Sequence, residues 1–368
     1  MTAELKKKNK PRLLFLTEFY PQSQSLIFTG GVEARTYYLS QKAKKDFEVK
    51  LIYSRSKAIA ATSLSVFSRL TYIFSSFFKA LKTDFDLIEG SNVTTYLPAY
   101  FAGKLKKKPT IAWIPDVLNK DWFQFGLFVG IFGFILEKIS LKLNWSQIIA
   151  LSDSTKQKLV SQGINTQKIS VARGGYDPQE FLLPSPKKSS KPTIITIARL
   201  VKTKRVKDLI KAFDLVTLKL PQSQLIIIGS GPEKKALVDL TKKLKLELKV
   251  TFLSNLSRRN LIITLKKSHL FCLPSSAEGF GLVTIEAMAA NLPAVISNLR
   301  VHQEITHKGQ GVLFFTPTNY KDLSQKIRQL LTNEKLYRQK QLQAQNLIKN
   351  YTWDKIYQNS RKAYLKTL

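Results

Sequence analysis

The sequence predicts an α/β protein with two domains, each built on a parallel β-sheet with crossover helices. Its 368 residues exceed the usual size of one domain, and 44% of them are apolar, enough for two hydrophobic cores. Short apolar runs alternate with longer segments of helical apolar spacing, which is typical of βαβ units. The alternation stops at residues 182–192, a linker-like stretch rich in proline, serine and lysine, and then starts again.

Each apolar run is short enough for a buried strand, and turn residues border most of them. Ligands of open α/β sheets bind beyond the carboxyl ends of the strands, so we expect the functional residues directly after these runs. The predicted strands are 12–17, 47–53, 85–90, 110–115 and 147–152 before the linker, and 193–198, 224–229, 249–253, 270–274, 293–297 and 311–315 after it.

Composition limits the class of protein. The formal net charge is +34, with the basic excess spread over both halves. Three interpretations stay open: nucleic-acid binding, attraction to an anionic membrane or phosphate-bearing substrate, and a lysine-rich solvated surface. The single cysteine, Cys272, excludes an intramolecular disulfide and fits a reducing, cytoplasmic setting.

No stretch of the sequence predicts a membrane span or a cleaved leader. The apolar run at residues 12–17 is too short for the core of a signal peptide and is predicted to be the first strand. The longest uncharged stretch is residues 122–136, shorter than the 18 or so residues that a span needs, so we expect a buried or interfacial helix there.

The stretch "EGFGLVTIE", residues 278–286, places two glutamates around a Gly-Phe-Gly turn and the start of a helix. Gly279 and Gly281 allow the backbone to approach a ligand closely, and the free amides of a helix N-terminus favour an anion. Glu278 and Glu286 can then face one small ligand, one acid near a phosphate-bearing end and the other near hydroxyl groups. The alternative is two unrelated surface glutamates around an ordinary turn.

Metal binding is not expected. Asp84 and Asp86 form an Asp-x-Asp pair, but the pair leads into a predicted strand instead of following one. His269, His302 and His307 lack the spacing of metal ligands.

Five segments resemble, in order, the signatures of the retaining glycosyltransferases of family 4 (glycosyl transferases group 1). The stretch at residues 273–297 resembles the donor-site signature of that family, with its Glu-x7-Glu pair. The other four are similar to its Tyr-Pro…Gly-Gly loop, its Arg-Leu-x-x-x-Lys element, its Gly-x-Gly-Pro turn and its closing Tyr-x-Trp helix. They lie at residues 19–40, 198–213, 226–237 and 351–364.

The resemblance implies the GT-B architecture, with two Rossmann-like domains that face each other across a cleft. Residues 1–183 would form the acceptor domain and residues 184–350 the nucleotide-sugar donor domain. Residues 351–368 would form a helix that packs back on the N-terminal domain. The implied reaction is sugar transfer from a nucleotide-diphosphate donor with retention of anomeric configuration, without a cofactor or a metal.

The resemblance also assigns roles to individual residues. Arg199 and Lys204 would hold the donor diphosphate, and cations there stabilise the charge of the leaving group. Glu286 would accept hydrogen bonds from the ribose, and Glu278 would contact the transferred sugar. The implied donor-binding set is Gly30, Gly31, Arg199, Lys204, Gly229, Glu278, Gly279, Phe280, Gly281, Leu282 and Glu286. The predicted catalytic set is Glu278, Arg199 and Lys204, together with Asp116, which stands where many members have a histidine.

Three departures from the family pattern affect sugar identity and chemical detail. Many members carry a histidine after the strand that matches 110–115, whereas this chain has Asp116 there, expected either to contact sugar or acceptor or to be an ordinary helix N-terminal aspartate. Arg300 and Val301 replace a Gly-Gly pair before Glu304. The usual Asn-Gly-x-Asp near the domain junction reads "GGYD", residues 174–177.

We therefore expect a glycosyltransferase that acts on a glycan or lipid-linked acceptor and binds no nucleic acid. The apolar segment from Trp122 onward, with the cluster of four lysines in residues 104–109, predicts peripheral association with an anionic membrane. The alternatives are a degenerate family member that binds nucleotide without transfer, and a basic nucleic-acid-binding α/β protein.

Overall fold

The computed structural model describes residues 10–21, 30–54, 63–184 and 186–368, with side chains from residue 66 in the third range. The described chain forms two compact units. The first contains β1 (Arg12–Thr17), Gly31–Arg173 and Trp353–Leu368, and the second contains Gly174–Thr352.

The first unit is an α/β layer structure around one parallel sheet with the strand order β2-β1-β3-β4-β5-β6. Its central strands are buried on both faces, which is why they read as continuous apolar runs in the sequence. After β1, the strands are β2 (Glu48–Tyr53), β3 (Leu87–Gly90), β4 (Thr110–Ile114), β5 (Gln147–Ala150) and β6 (Ile169–Val171).

The helices of the first unit connect these strands in sequence. Its long helices α2, α3 and α4 pack against one another. The helices are α1 (Gly31–Ala43), α2 (Ser63–Lys82), α3 (Val93–Leu105), α4 (Leu127–Lys142) and α5 (Asp153–Ser161), and the segment Trp353–Leu365 forms one more helix of this unit.

The second unit repeats the same plan with the strand order β12-β11-β10-β7-β8-β9, again all parallel. The strands are β7 (Thr193–Ile197), β8 (Gln224–Ile228), β9 (Val250–Leu253), β10 (Leu270–Leu273), β11 (Ala294–Ser297) and β12 (Val312–Phe315). The helices are α6 (Val206–Thr217), α7 (Lys234–Lys243), α8 (Arg258–Lys267), α9 (Leu282–Ala289), α10 (Arg300–Ile305), α11 (Tyr320–Thr332) and α12 (Glu334–Ile348); the segment Trp353–Leu365 of the first unit is α13.

The boundary between the units lies at residues 173 and 174, ten residues before the predicted position, because the segment that precedes the linker packs on the second unit. Tyr176 forms a parallel bridge with Thr352, and Glu180 pairs with Arg258 on α8 at 2.9 Å. Phe181 lies under the Arg258 guanidinium, 5.6 Å from its ring centroid.

Two local features differ from the sequence prediction. The strand β6 was not predicted, since its three residues offer too short an apolar run to be recognised. The apolar segment from Trp122 onward is not one helix. A 3₁₀-helix, Asn119–Phe125, ends at Gly126, whose φ of +96° a side chain would disfavour, and α4 begins directly after it.

Candidate active site

The stretch with the two glutamates lies at the carboxyl edge of the second sheet, between β10 and α9. Gly281 is the N-cap residue of α9 and has a left-handed φ of +87°, so a glycine is needed at this position. No side chain of the described residues caps the N-terminus of α9. Its first amides, beginning at Leu282, are therefore available for an anion.

Glu278 forms the centre of a polar cluster in this loop. The Lys204 ammonium donates a 2.6 Å hydrogen bond to Glu278 Oε1, and the Ser275 hydroxyl donates to the same oxygen at 2.8 Å. Burial by itself raises the pKa of Glu278, but Lys204, His302 and Ser275 outweigh burial and hold the pKa below its usual value. Glu278 is therefore a carboxylate at neutral pH.

Arg199 lies on the loop that follows β7, next to the short 3₁₀-helix that carries Lys204. The residue is exposed, but neighbouring atoms surround its guanidinium closely enough for burial to lower its pKa, and the charge of Glu278 opposes that effect. Two cations and one carboxylate thus lie near the uncapped N-terminus of α9. A diphosphate could bind there by replacing Glu278 as the partner of Lys204, since phosphate oxygens are strong acceptors for both cations.

Position 229 must be a glycine because the loop after β8 contacts the backbone of the loop after β7. A Cβ at Gly229 would lie 1.9 Å from the carbonyl oxygen of Ala198, and one at Gly231 would lie 2.4 Å from that of Leu200. The Leu200 amide also donates to the Ser230 carbonyl at 2.8 Å. The glycine turn therefore holds the backbone on either side of Arg199, which is a positioning role consistent with the predicted membership of Gly229 in the site.

Glu286 lies on the buried side of α9 and not in the Lys204–Glu278 cluster. Its Oε1 accepts a 2.6 Å hydrogen bond from Arg258, whose Nε donates to Glu180 at 2.9 Å. Burial raises the pKa of Glu286 above its usual value, and Arg258 opposes that rise. Arg258 was missed by sequence reasoning because it precedes Glu286 by 28 residues and no flanking pattern marks it.

His302 is a second residue whose position the sequence did not reveal. It is completely buried on α10, and its Nδ1 lies 2.7 Å from the Ser297 carbonyl oxygen, so Nδ1 must carry the proton and donate. Nε2 has no hydrogen-bond partner among the described residues and would lie 3.4 Å from a Cβ built on Gly281. His302 therefore packs beneath Gly281, in the loop that carries Glu278. Burial lowers the pKa of His302.

Asp116 belongs to the first unit, at the carboxyl end of β4. Its Oδ1 accepts hydrogen bonds from the Val117 amide at 2.8 Å and from Lys158 at 2.7 Å. Burial raises the pKa of Asp116 despite the Lys158 ammonium. The loop after Asp116 is held by the buried Glu137, which accepts from the amides of Leu118 and Asn119 and from the indole of Trp122.

Gly30 and Gly31 are the predicted positions in the N-terminal loop. Gly30 and Gly31 stand at the start of α1, and a Cβ on either would meet no described atom within 4 Å. Residues 22–29 of that loop lie outside the described residues. Arg300, at the place of the family's glycines, is exposed on α10.

The Asp-x-Asp pair is engaged by cations. Asp86 pairs with Arg12 at 3.0 Å and with Lys108 at 3.3 Å, and Asp84 lies 3.6 Å from Arg12. The hydrogen bonds from Arg12 hold the pKa of Asp86 well below its usual range. Within the described ranges, no group of three or more His, Cys, Asp or Glu side chains is placed to hold a metal ion.

Comparison with known proteins agrees with this geometry. Residues 179–347 match the family model described as glycosyl transferases group 1. An uncharacterized glycosyltransferase of Haemophilus influenzae is 30% identical over 214 residues, 57% of this chain and 58% of that protein. The O-antigen chain mannosyltransferase RfbU of Salmonella typhimurium is 26% identical over 220 residues, 59% of this chain and 57% of that protein. The match thus spans little more than half the length of either relative.

Among solved structures, HepE of Anabaena in complex with UDP and glucose superposes with a TM-score of 0.76 and 19% sequence identity. The superposition covers 97% of this chain and 100% of HepE. The predicted fold is confirmed: the chain has the GT-B fold, and its residues 179–347 have the sequence pattern of the glycosyl transferases group 1 family.

Proposed function

We propose that the protein is a glycosyltransferase that moves a sugar from a nucleotide-diphosphate donor to an acceptor with retention of anomeric configuration and without a metal ion. The observation that carries the proposal is the cluster of Arg199, Lys204 and Glu278 beside the uncapped N-terminus of α9. This combination of two cations and a helix N-terminus fits a diphosphate, and the adjacent carboxylate fits sugar hydroxyls.

Each side chain then has a role in the transfer. Arg199, Lys204 and the first amides of α9 bind the diphosphate and stabilise the negative charge that grows on it as the glycosidic bond breaks. Glu278 positions the transferred sugar, and Glu286 binds the ribose. The acceptor hydroxyl attacks from the face that the diphosphate leaves, so retention requires no protein nucleophile, and Glu278 is assigned none.

The test of this proposal is a screen for hydrolysis of nucleotide sugars, followed by mass analysis of the products formed on candidate acceptors. A degenerate family member would bind the nucleotide and release neither free sugar nor product. Loss of activity with a chelator and its recovery with Mn²⁺ would contradict the metal-free site.

Arg199→Ala and Lys204→Ala should each weaken binding of the nucleoside diphosphate by about 1.5–3 kcal/mol, the free energy of one charged hydrogen bond. Binding of the nucleoside alone should hardly change, because it carries no phosphate. Calorimetry measures both affinities. Lys202→Ala is the matched control, since Lys202 is an exposed lysine of the same 3₁₀-helix. Equal diphosphate affinity in all three variants would refute the assignment.

We further propose that the acceptor is lipid-linked or membrane-proximal and that the first unit binds an anionic membrane surface. Within the described residues no helix has the length and apolar character needed to cross a bilayer. The outer faces of α2, α3 and α4 are nevertheless apolar. Their exposed large apolar side chains are Phe67, Leu70, Phe74 and Phe78 on α2, Phe101 and Leu105 on α3, and Leu127, Phe128, Ile131, Ile135 and Ile139 on α4.

The charge pattern of these three helices suits an anionic surface. Each of these helices connects two parallel strands, and the three helices pack on one another, so they run in the same direction. Their last turns therefore lie at the same end of the three-helix layer. Exposed lysines occupy those last turns: Lys79 and Lys82, Lys104, and Lys142. The only acidic residue in the three helices is Glu137, which is buried. Apolar area and attraction to anionic lipid would therefore add together.

Flotation with lipid vesicles tests this surface. The protein should rise with vesicles that contain phosphatidylglycerol at low salt, and less with phosphatidylcholine alone. The double change Phe74→Glu, Phe128→Glu should reduce flotation strongly, because both side chains are more than 60% exposed. Leu248→Glu, at an exposed leucine of the second unit, is the control and should float like the wild type. Failure to float at every lipid composition would refute membrane binding.

A further inference from the structure

The buried contacts of Glu286 point to a residue that no family pattern marks. Arg258 is the first residue of α8, directly after the N-cap Ser257, and it is only 8% exposed. It lies between two carboxylates, with Nη1 2.6 Å from Glu286 Oε1 and Nε 2.9 Å from Glu180 Oε2. The face of Phe181 lies against the same guanidinium.

We propose that Arg258 is a positioning residue for the nucleotide site: it fixes the orientation of Glu286, so that the second oxygen of that carboxylate can accept hydrogen bonds from the ribose hydroxyls. This inference rests on the proposed function, in which Glu286 binds the ribose. Arg258 itself acts through Glu286 and is not assigned a contact with the donor.

The geometry of Glu286 supports separate roles for its two carboxylate oxygens. Oε1 of Glu286 is committed to Arg258, whereas Oε2 accepts no hydrogen bond from the described residues. The guanidinium is planar and rigid, so the Nε hydrogen bond to Glu180 fixes the direction from which Nη1 meets Glu286 Oε1. Glu180 and Phe181 hold the other side of the fork, so the orientation of Arg258 is itself determined.

The electrostatics explain why Glu286 needs this partner. Burial of Glu286 favours its protonated form, and the nearby carboxylate of Glu180 adds to that effect. Among the described residues, Arg258 is the group that opposes both. Without Arg258 the pKa of Glu286 would rise further, and Glu286 would become a neutral acid that binds a ribose hydroxyl more weakly.

The test measures affinity and its pH dependence for UDP, GDP and ADP and for the 2′,3′-dideoxy analogue of whichever binds most tightly. The wild type should prefer the ribose form. In Arg258→Met that preference should fall about tenfold near neutral pH, the loss expected for one charged hydrogen bond. It should recover as the pH is raised further, because the carboxylate then re-forms.

Two further variants separate positioning from simple structural damage. Arg258→Lys retains the charge and should retain the pH profile, with a smaller loss of ribose preference. Glu286→Gln should lose the preference at every pH, because a neutral amide does not titrate. A melting temperature for each variant shows whether the second unit is folded.

The possible failures are distinguishable. If the wild type binds none of the three diphosphates, the proposed function is overturned together with this inference. If the wild type binds one of them with a ribose preference, and Arg258→Met shows the same preference with the same pH profile, the inference alone is overturned.

Discussion

Glu278→Gln should lower kcat about 100-fold, which corresponds to about 2.7 kcal/mol of lost transition-state stabilisation. The proposed partner of Glu278 is the reacting sugar, so the affinity for the nucleoside diphosphate, which lacks that sugar, should change much less. The glutamine retains an oxygen that can accept from Ser275, but it no longer carries the charge that pairs with Lys204.

Steady-state kinetics and calorimetry on the same preparation separate these two effects. Glu247→Gln is the control, because Glu247 is an exposed glutamate of the same unit. Glu286→Gln should show the reverse pattern, with weaker donor binding and a smaller change in kcat. If Glu278→Gln lost donor affinity while retaining kcat, the roles of the two glutamates would be interchanged.

Arg35→Met should destabilise the first unit by about 3–5 kcal/mol, the usual effect of leaving one buried charge without its partner. Arg35 on α1 and Glu89 on β3 form a two-point ion pair, and both are almost completely buried. The same carboxylate accepts from Tyr364 at 2.7 Å and from Ser91 at 3.0 Å. The guanidinium also lies 4.5 Å from the centroid of Trp113.

Denaturant unfolding followed by tryptophan fluorescence measures this effect selectively. All four tryptophans of the chain, at positions 113, 122, 145 and 353, belong to the first unit. Lys45→Met is the control, because the Lys45–Asp354 pair is exposed and should contribute little. A change below about 1 kcal/mol in Arg35→Met would show that the network is not a buried ion pair in solution.

The sequence predicted the sheets well because parallel strands are buried on both faces and read as continuous apolar runs. All eleven predicted runs contain a strand, and among the described residues only the three-residue β6 was missed. The glycine turn at Gly229 and the uncapped start of α9 were also predictable, since glycine and helix signals are local.

Other parts of the site were not predictable for physical reasons. Arg258 is one of 59 basic residues, and only the packing of α8 against the segment near Glu180 distinguishes it from a solvated cation. Likewise, His302 gave no signal, because what matters is its burial beneath Gly281 and not its spacing from other residues. Lys158 approaches Asp116 from 42 residues away, which no spacing rule anticipates.

The return of α13 to the first unit has a consequence for the order of events during synthesis. A ribosome releases all of Gly174–Thr352 before it releases the helix that supplies Tyr364 to Glu89. Until then the nascent first unit lacks Tyr364. Its buried Glu89 carboxylate is without the Tyr364 hydroxyl donor, and Phe15 and Phe47 are without the Tyr364 ring that packs on them. We therefore expect the second unit to acquire protease resistance first on stalled ribosomes, although its residues are made later.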